Sequence, residues 1–218
     1  MSTSVSAATT PRVGRLPKRI ALAAVLLVAT GFVLKYVFHY YLNYNPMGLY
    51  YFWPKRGWLL LHITAGMVAL LIGPWQFSRT LRQRYLQLHR VMGRIYLIAI
   101  ACGSSAASYL AIHTPSGWAW GTGLMGLALA WVTTAGMAFY AVKQRQIQVH
   151  QEWMVRSYVV TFAFVTFRLL EDFGPTSRLQ PPGDRAVTMV WISWAIPLLF
   201  TEVILELRRM RLRSHSRW

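Results

Sequence analysis

Six apolar runs, each long enough to cross a bilayer, lie in one chain with only short gaps between them. A helix needs about 20 predominantly apolar residues to span the hydrocarbon core. Of the 218 residues, 55% are hydrophobic and 13% are charged. Soluble domains carry about 25% charged residues, so a water-soluble globule of this length is excluded. The expected fold is all-α: a six-span transmembrane helical bundle whose four-helix core is made of two parallel helix-pair repeats.

The first run resumes beyond Lys35, and no small-residue cleavage site follows it, so an uncleaved helix is expected over 18–42, after a disordered tail at 1–17. Aromatics crowd residues 36–53, as in an interfacial belt. Further spans are expected over about 57–77, 89–112, 117–142, 150–170 and 186–207, with a basic tail at 208–218. Residues 57–172 would form the four-helix core. The Gly73-Pro74 pair should kink or end the second span.

Charge sets the orientation. The chain has 23 Lys+Arg, 6 Asp+Glu and a net charge of +17, with no carboxylate before Glu152. Seventeen of the cations fall on one side of the predicted spans: four near the N-terminus, five at Arg79, Arg82, Arg84, Arg90 and Arg94, three at Lys143, Arg145 and Arg156, and five in the C-terminal tail. Five fall on the other side, at Lys35, Lys55, Arg56, Arg178 and Arg185, and Arg168 lies within a span. Cationic loops mark the cytoplasmic side. Both termini are therefore expected on the cytoplasmic side, with the basic loops against anionic lipid. Basic residues spread over loops in this way point to a bilayer partner, not to nucleic acid.

A repeat gives the first chemical lead. Arg82-Gln-Arg-Tyr-Leu-Gln-Leu-His89 matches Lys143-Gln-Arg-Gln-Ile-Gln-Val-His150 at an offset of 61, with four of eight positions identical. Each copy joins an inward-going helix to an outward-going one, so the repeat is parallel, about an axis along the membrane normal. It puts His89 and His150 at equal depth, where two imidazoles can converge on one ligand. From His150, at 100° per residue, Ser157, Thr161 and Arg168 stay within about 20° of one line, over roughly 27 Å of helix. Such a polar stripe should face the bundle. On the third span His89, Gly93, Tyr96, Gly103, Ala107 and Ala111 form a small-residue groove that admits a close helix or a flat cofactor. On the second, His62, Gly66, Ala69 and Gly73 share one face.

These residues resemble a known family. Leu61-His62, Gly73-Pro74-Trp75-Gln76-Phe77, Leu88-His89-Arg90, Gly93-Arg94-Ile95-Tyr96, His150, Trp153-Met154, Arg156-Ser157-Tyr158 and Arg168 are similar to domain of unknown function 2306, a family of bacterial predicted membrane proteins. The resemblance covers about residues 57–172 and implies no activity. A looser, fold-level resemblance is to transmembrane haem b cytochromes, in which histidines on successive helices hold haems near each face. The fourth span lacks a histidine, so a second haem is not implied.

Two readings stand for His89 and His150. One is an axial pair for haem b, with Arg90, Arg94 and Arg156 as propionate partners. The other is a pair of interfacial histidines bonded to headgroups or backbone. Zinc would require more ligands than converge here. His62 and Arg168 are expected near the outer face, as an outer anion or quinone site or as interhelical hydrogen-bonding groups, with Arg168 next to Glu171 and Asp172. His39, His113 and His215 are expected at interfaces or in the tail, Cys102 in the core, Trp131 in packing, and Glu202 and Glu206 beside Arg208 and Arg209. Three functional classes follow: a haem b electron-transfer protein dealing with quinone or a membrane redox partner, a small-solute or proton transporter, and a non-catalytic membrane subunit of a larger complex. No hydrolase triad or phosphate loop is visible.

Overall fold

The computed structural model describes residues 16–38, 41, 53–173 and 182–215, all of the regular structure being helical. The tail before residue 16, most of the aromatic belt and His39 lie outside the described residues, as does the His215 side chain. Helix α1 covers Leu16–Phe32 and continues as a π-turn at Val33–Val37. Then come α2 (Arg56–Gln76), a short α3 (Arg79–Arg84), α4 (Leu86–Ile112), α5 (Trp118–Lys143), α6 (Ile147–Thr161), α7 (Ala163–Phe173) and α8 (Pro182–His215). Six stretches are long and apolar enough to cross a membrane: Ile20–Val37, Arg56–Gln76, Leu86–Ile112, Trp118–Lys143, Ile147–Phe173 and Arg185–Arg211. The six-span expectation therefore stands.

Two elements differ from the sequence reading. The fifth span is two helices, with a turn at Phe162. Thr161 donates its hydroxyl to the Ser157 carbonyl at 2.8 Å, a back-bond that competes with the helix ladder and bends it. The gap before α4 is not plain loop. Ser78 caps α3 by accepting from the Leu81 amide at 3.4 Å. Helix α8 has 34 residues, about 51 Å of rise, so its basic last turns extend past any hydrocarbon layer.

The core is a ring. Helix α2 packs on α4, α4 on α5, α5 on α6, and α6 back on α2. Helices α4 and α6 thus face each other across the ring. Helix α8 packs on α5, α6 and α7, and α1 leans on α2. The rim is greasy: Ile98, Leu199 and Phe200 are each 63% exposed, as suits a surface facing lipid tails. Cys102 also lies on an exposed face, which corrects its expected burial. In a bilayer an apolar residue gains little by turning inward.

Proline placement explains one cross-ring contact. Pro74 has no N–H, so the Leu70 carbonyl four residues back loses its helical donor. The Tyr158 hydroxyl donates to that carbonyl at 3.1 Å. Gly73 makes the approach possible: a Cβ there would sit 2.3 Å from two Tyr158 ring carbons. Helix α2 ends two residues after Pro74, at Gln76, as the Gly-Pro pair predicted.

Candidate functional site

Halfway along the ring a polar cluster joins α4, α5 and α6. Its proton directions follow from donor counting. Indole can only donate, and Trp131 Nε1 gives its hydrogen to Thr161 Oγ1 at 2.8 Å. Thr161 spends its own proton on the Ser157 carbonyl. Tyr96, 2.9 Å from Thr161 Oγ1, must therefore donate to it, and Ser157, 3.0 Å from the Tyr96 oxygen, must donate to Tyr96. Every hydroxyl proton in the cluster has an acceptor, and the chain ends on a backbone carbonyl. It locks α4, α5 and α6 together across the ring. Ser157 and Thr161 are buried, so the α6 stripe faces the bundle as its spacing required. Trp131, expected only to pack, is also a donor.

The lock closes the small-residue groove. A Cβ on Gly103 would come within 2.9 Å of the Trp131 ring and 3.2 Å of Ala65. At Gly103 the groove is filled by the neighbouring helices. Tyr96→Phe is expected to cost about 1–2 kcal/mol, since it strands the Ser157 donor and removes a donor to Thr161; interhelical bonds in bilayers average about 0.6 kcal/mol. A melting temperature in detergent equal to wild type would contradict the lock.

Below it, toward the end carrying the basic loops, lie the two repeat histidines. Helices α4 and α6 begin at Leu86 and Ile147, the same 61 residues apart as His89 and His150. The His89 amide bonds the Tyr85 carbonyl at 3.0 Å and the His150 amide bonds the Gln146 carbonyl at 2.9 Å. The two histidines lie on helices that face each other across the ring. His150 Nδ1 is 2.8 Å from the Ala138 carbonyl. A carbonyl only accepts, so Nδ1 carries the proton and Nε2 keeps a lone pair. His89 Nδ1 is buried with no hydrogen-bond partner among the described residues, and so is Gln76 Nε2. Gln76 ends the α2 stripe, and its Oε1 lies 3.4 Å from where a Gly93 Cβ would be. Gly93 is one turn beyond His89, on the same face.

The arginines divide. Arg90 and Arg94 are exposed. Arg156 is buried and has another task. Its Nη2 donates to Glu202 Oε2 of α8 at 2.7 Å, its Nε bonds Glu202 Oε1, and its guanidinium stacks 4.6 Å from the Trp153 ring. It lies about 120° round α6 from His150. Arg156 thus differs from Arg90 and Arg94 in being buried and tied to α8, with its Nη1 left without a hydrogen-bond partner among the described residues. Glu202 pairs with Arg156, not with the neighbouring arginines of its own helix, whereas Glu206 pairs with Arg209 at 3.3 Å as expected. Glu152 pairs with Arg209 and lies 4.0 Å from Arg156 Nη1.

At the opposite end, His62 Nδ1 is 3.0 Å from the Gly103 carbonyl, which again puts the proton on Nδ1. Its ring meets Phe164 edge-on at 5.2 Å. Arg168 Nη1 pairs with Glu171 at 2.5 Å, the local pairing its spacing suggested. Asp172 takes Lys35 at 3.3 Å and the Tyr36 hydroxyl, which ties α1 to α7. His62 and Arg168 border one cavity of about 140 Å³ with Tyr36, Trp131 and Phe164. His113 is at the surface, bonded to the Tyr109 carbonyl at 2.8 Å.

The spans, the apolar rim and the buried polar lock define a multi-pass α-helical membrane protein. The chain belongs to the family described as Predicted membrane protein (DUF2306), whose sequence model matches residues 59–205. No curated protein and no solved structure matches it.

Gln76 entered the sequence reading only within the family motif, not as a site residue, and the Arg156–Glu202 pair escaped it. Gln76 was findable: it continues the stripe of His62, Gly66, Ala69 and Gly73 at helical spacing. The ion pair joins residues 46 apart, and a single sequence carries no sign of that.

Proposed function

We propose that the basic end of the helical ring holds a b-type haem between His89 and His150, and that the protein is a membrane electron-transfer protein. The observation that carries this reading is the donor set. Two imidazoles lie on facing helices, one with its Nε2 lone pair fixed by a backbone bond. Beside them the buried Gln76 Nε2 has no hydrogen-bond partner among the described residues. A buried donor left unpaired costs about 1–3 kcal/mol, so a ligand bringing both a metal and acceptor oxygens suits the site. A backbone carbonyl on Nδ1 is also the usual means of orienting a ligating histidine. The Tyr96 lock lies about two turns above the histidines and limits the site to this end. Gln76 would hold a propionate, with Arg90 and Arg94 supplying positive potential from the rim. Haem bound here supplies one-electron transfer. The basic end would face the cytoplasm of a bacterial inner membrane, by the charge count.

A small-solute or proton transporter using the stripe from His150 to Arg168 is the second reading. Absorbance of the full-length protein purified from haem-sufficient cells tests the proposal. A Soret band that shifts on dithionite reduction is expected, and His150→Ala should remove it while leaving Arg156 and the Tyr96 lock in place. A colourless wild-type protein that gains no band on adding haemin would overturn the proposal.

A further inference from the structure

We infer that the cavity at the far end is a binding site for a neutral, lipid-soluble aromatic alcohol of the hydroquinone type, with one ring and an apolar tail. The site is separate from the histidine pair, and the inference does not depend on haem. Size comes first. The cavity measures about 140 Å³, and an apolar cavity of about 150 Å³ takes up benzene, so one six-membered ring fits and a macrocycle does not. A second cavity of about 140 Å³ shares His62, Leu59, Leu127, Trp131 and Phe164 with the first. Its remaining lining is nearly all apolar, so it suits a tail.

Hydrogen-bonding capacity selects the head. Most polar atoms around the first cavity are spent: Trp131 Nε1 on Thr161, the Thr161 hydroxyl on Ser157, and the Tyr36 hydroxyl on Asp172. His62 borders both cavities and has its Nδ1 proton committed to Gly103. Nε2, an acceptor, is the ring nitrogen left for a ligand. A phenolic O–H satisfies it. A carboxylate or a quinone carbonyl sets one lone pair against another. Charge points the same way. Arg168 is the cation on the wall, and Glu171 matches it at 2.5 Å, so the cavity holds no unbalanced positive charge to draw an anion. Phe32, Tyr36 and Val37 form the wall on the side of the first span.

Gly66 offers a clean test. It lines the cavity, and a Cβ there would meet nothing within 4 Å, so a side chain has room to start there and Gly66→Leu would take up cavity space. The full-length protein in nanodiscs is titrated anaerobically with decylubiquinol, decylubiquinone and decanoate, and tryptophan fluorescence is followed. Decylubiquinol is expected to bind at least tenfold more tightly than either competitor, and Gly66→Leu to weaken it at least tenfold while any Soret band is unchanged. Equal Kd values for decylubiquinol and decanoate, or a wild-type Kd in a folded Gly66→Leu, would overturn the inference. The ranking of the three probes on the wild-type protein decides the matter even where the variant misfolds. Loss of the haem reading would show instead as a missing Soret band with quinol binding intact.

Discussion

Glu202→Gln is expected to destabilise the protein by about 2 kcal/mol: Arg156 is buried but the Glu202 side chain is 48% exposed, so water screens part of what breaking a fully buried ion pair would cost. The change keeps the side-chain shape and removes only the charge. Arg156 is then left 5% exposed, with Glu152 as its nearest remaining carboxylate at 4.0 Å. That residual contact keeps the loss from reaching the upper limit. A double variant, Arg156→Met with Glu202→Met, should return to within about 1 kcal/mol of wild type, because apolar replacement removes the buried Arg156 charge together with its partner. Thermal unfolding in one detergent measures all three proteins. A single-variant loss below about 1 kcal/mol would mean that water screens the pair as at an ordinary surface.

Gly73→Ala and Gly66→Ala lie on the same helix and should have opposite signs. At Gly73 the new methyl would sit 2.3 Å from the Tyr158 ring. That ring is pinned by its hydroxyl bond to Leu70, so it cannot swing away without losing the bond. Overpacking costs about 1–3 kcal/mol and the bond about 1; the helix-propensity gain of alanine over glycine returns about 1. A net loss of about 2 kcal/mol is expected. At Gly66 nothing opposes the propensity gain, so stability should rise by up to about 1 kcal/mol. Two stabilised variants would show that Tyr158 is not held where Gly73 admits it.

How far the sequence spoke depended on whether its signals were local. The six spans are local, since each is a run of apolar residues, and they were legible. So was the inward stripe of Ser157 and Thr161, because polar residues in hydrocarbon must find protein partners. Burial of apolar residues was not legible: lipid and protein interior are alike to Cys102, and its identity does not say which it faces. The break at Phe162 follows from the Thr161 back-bond, visible only once the hydroxyl's direction is known. At the site, the histidines came from a repeat and Arg168 from its lone charge. Tyr96's two hydroxyl partners and Trp131's bond to Thr161 needed the ring assembled, since the donors and acceptors lie on different helices.

The central claim is that His89 and His150 together hold one haem. Low-temperature electron paramagnetic resonance of the oxidised, full-length protein tests it most directly, alongside haem quantified per chain. One haem per chain with a low-spin signal is predicted for the wild type. His89→Ala and His150→Ala should each give a high-spin signal or no haem. A low-spin signal that survives in both single variants, or a high-spin signal in the wild type, would contradict the paired ligation.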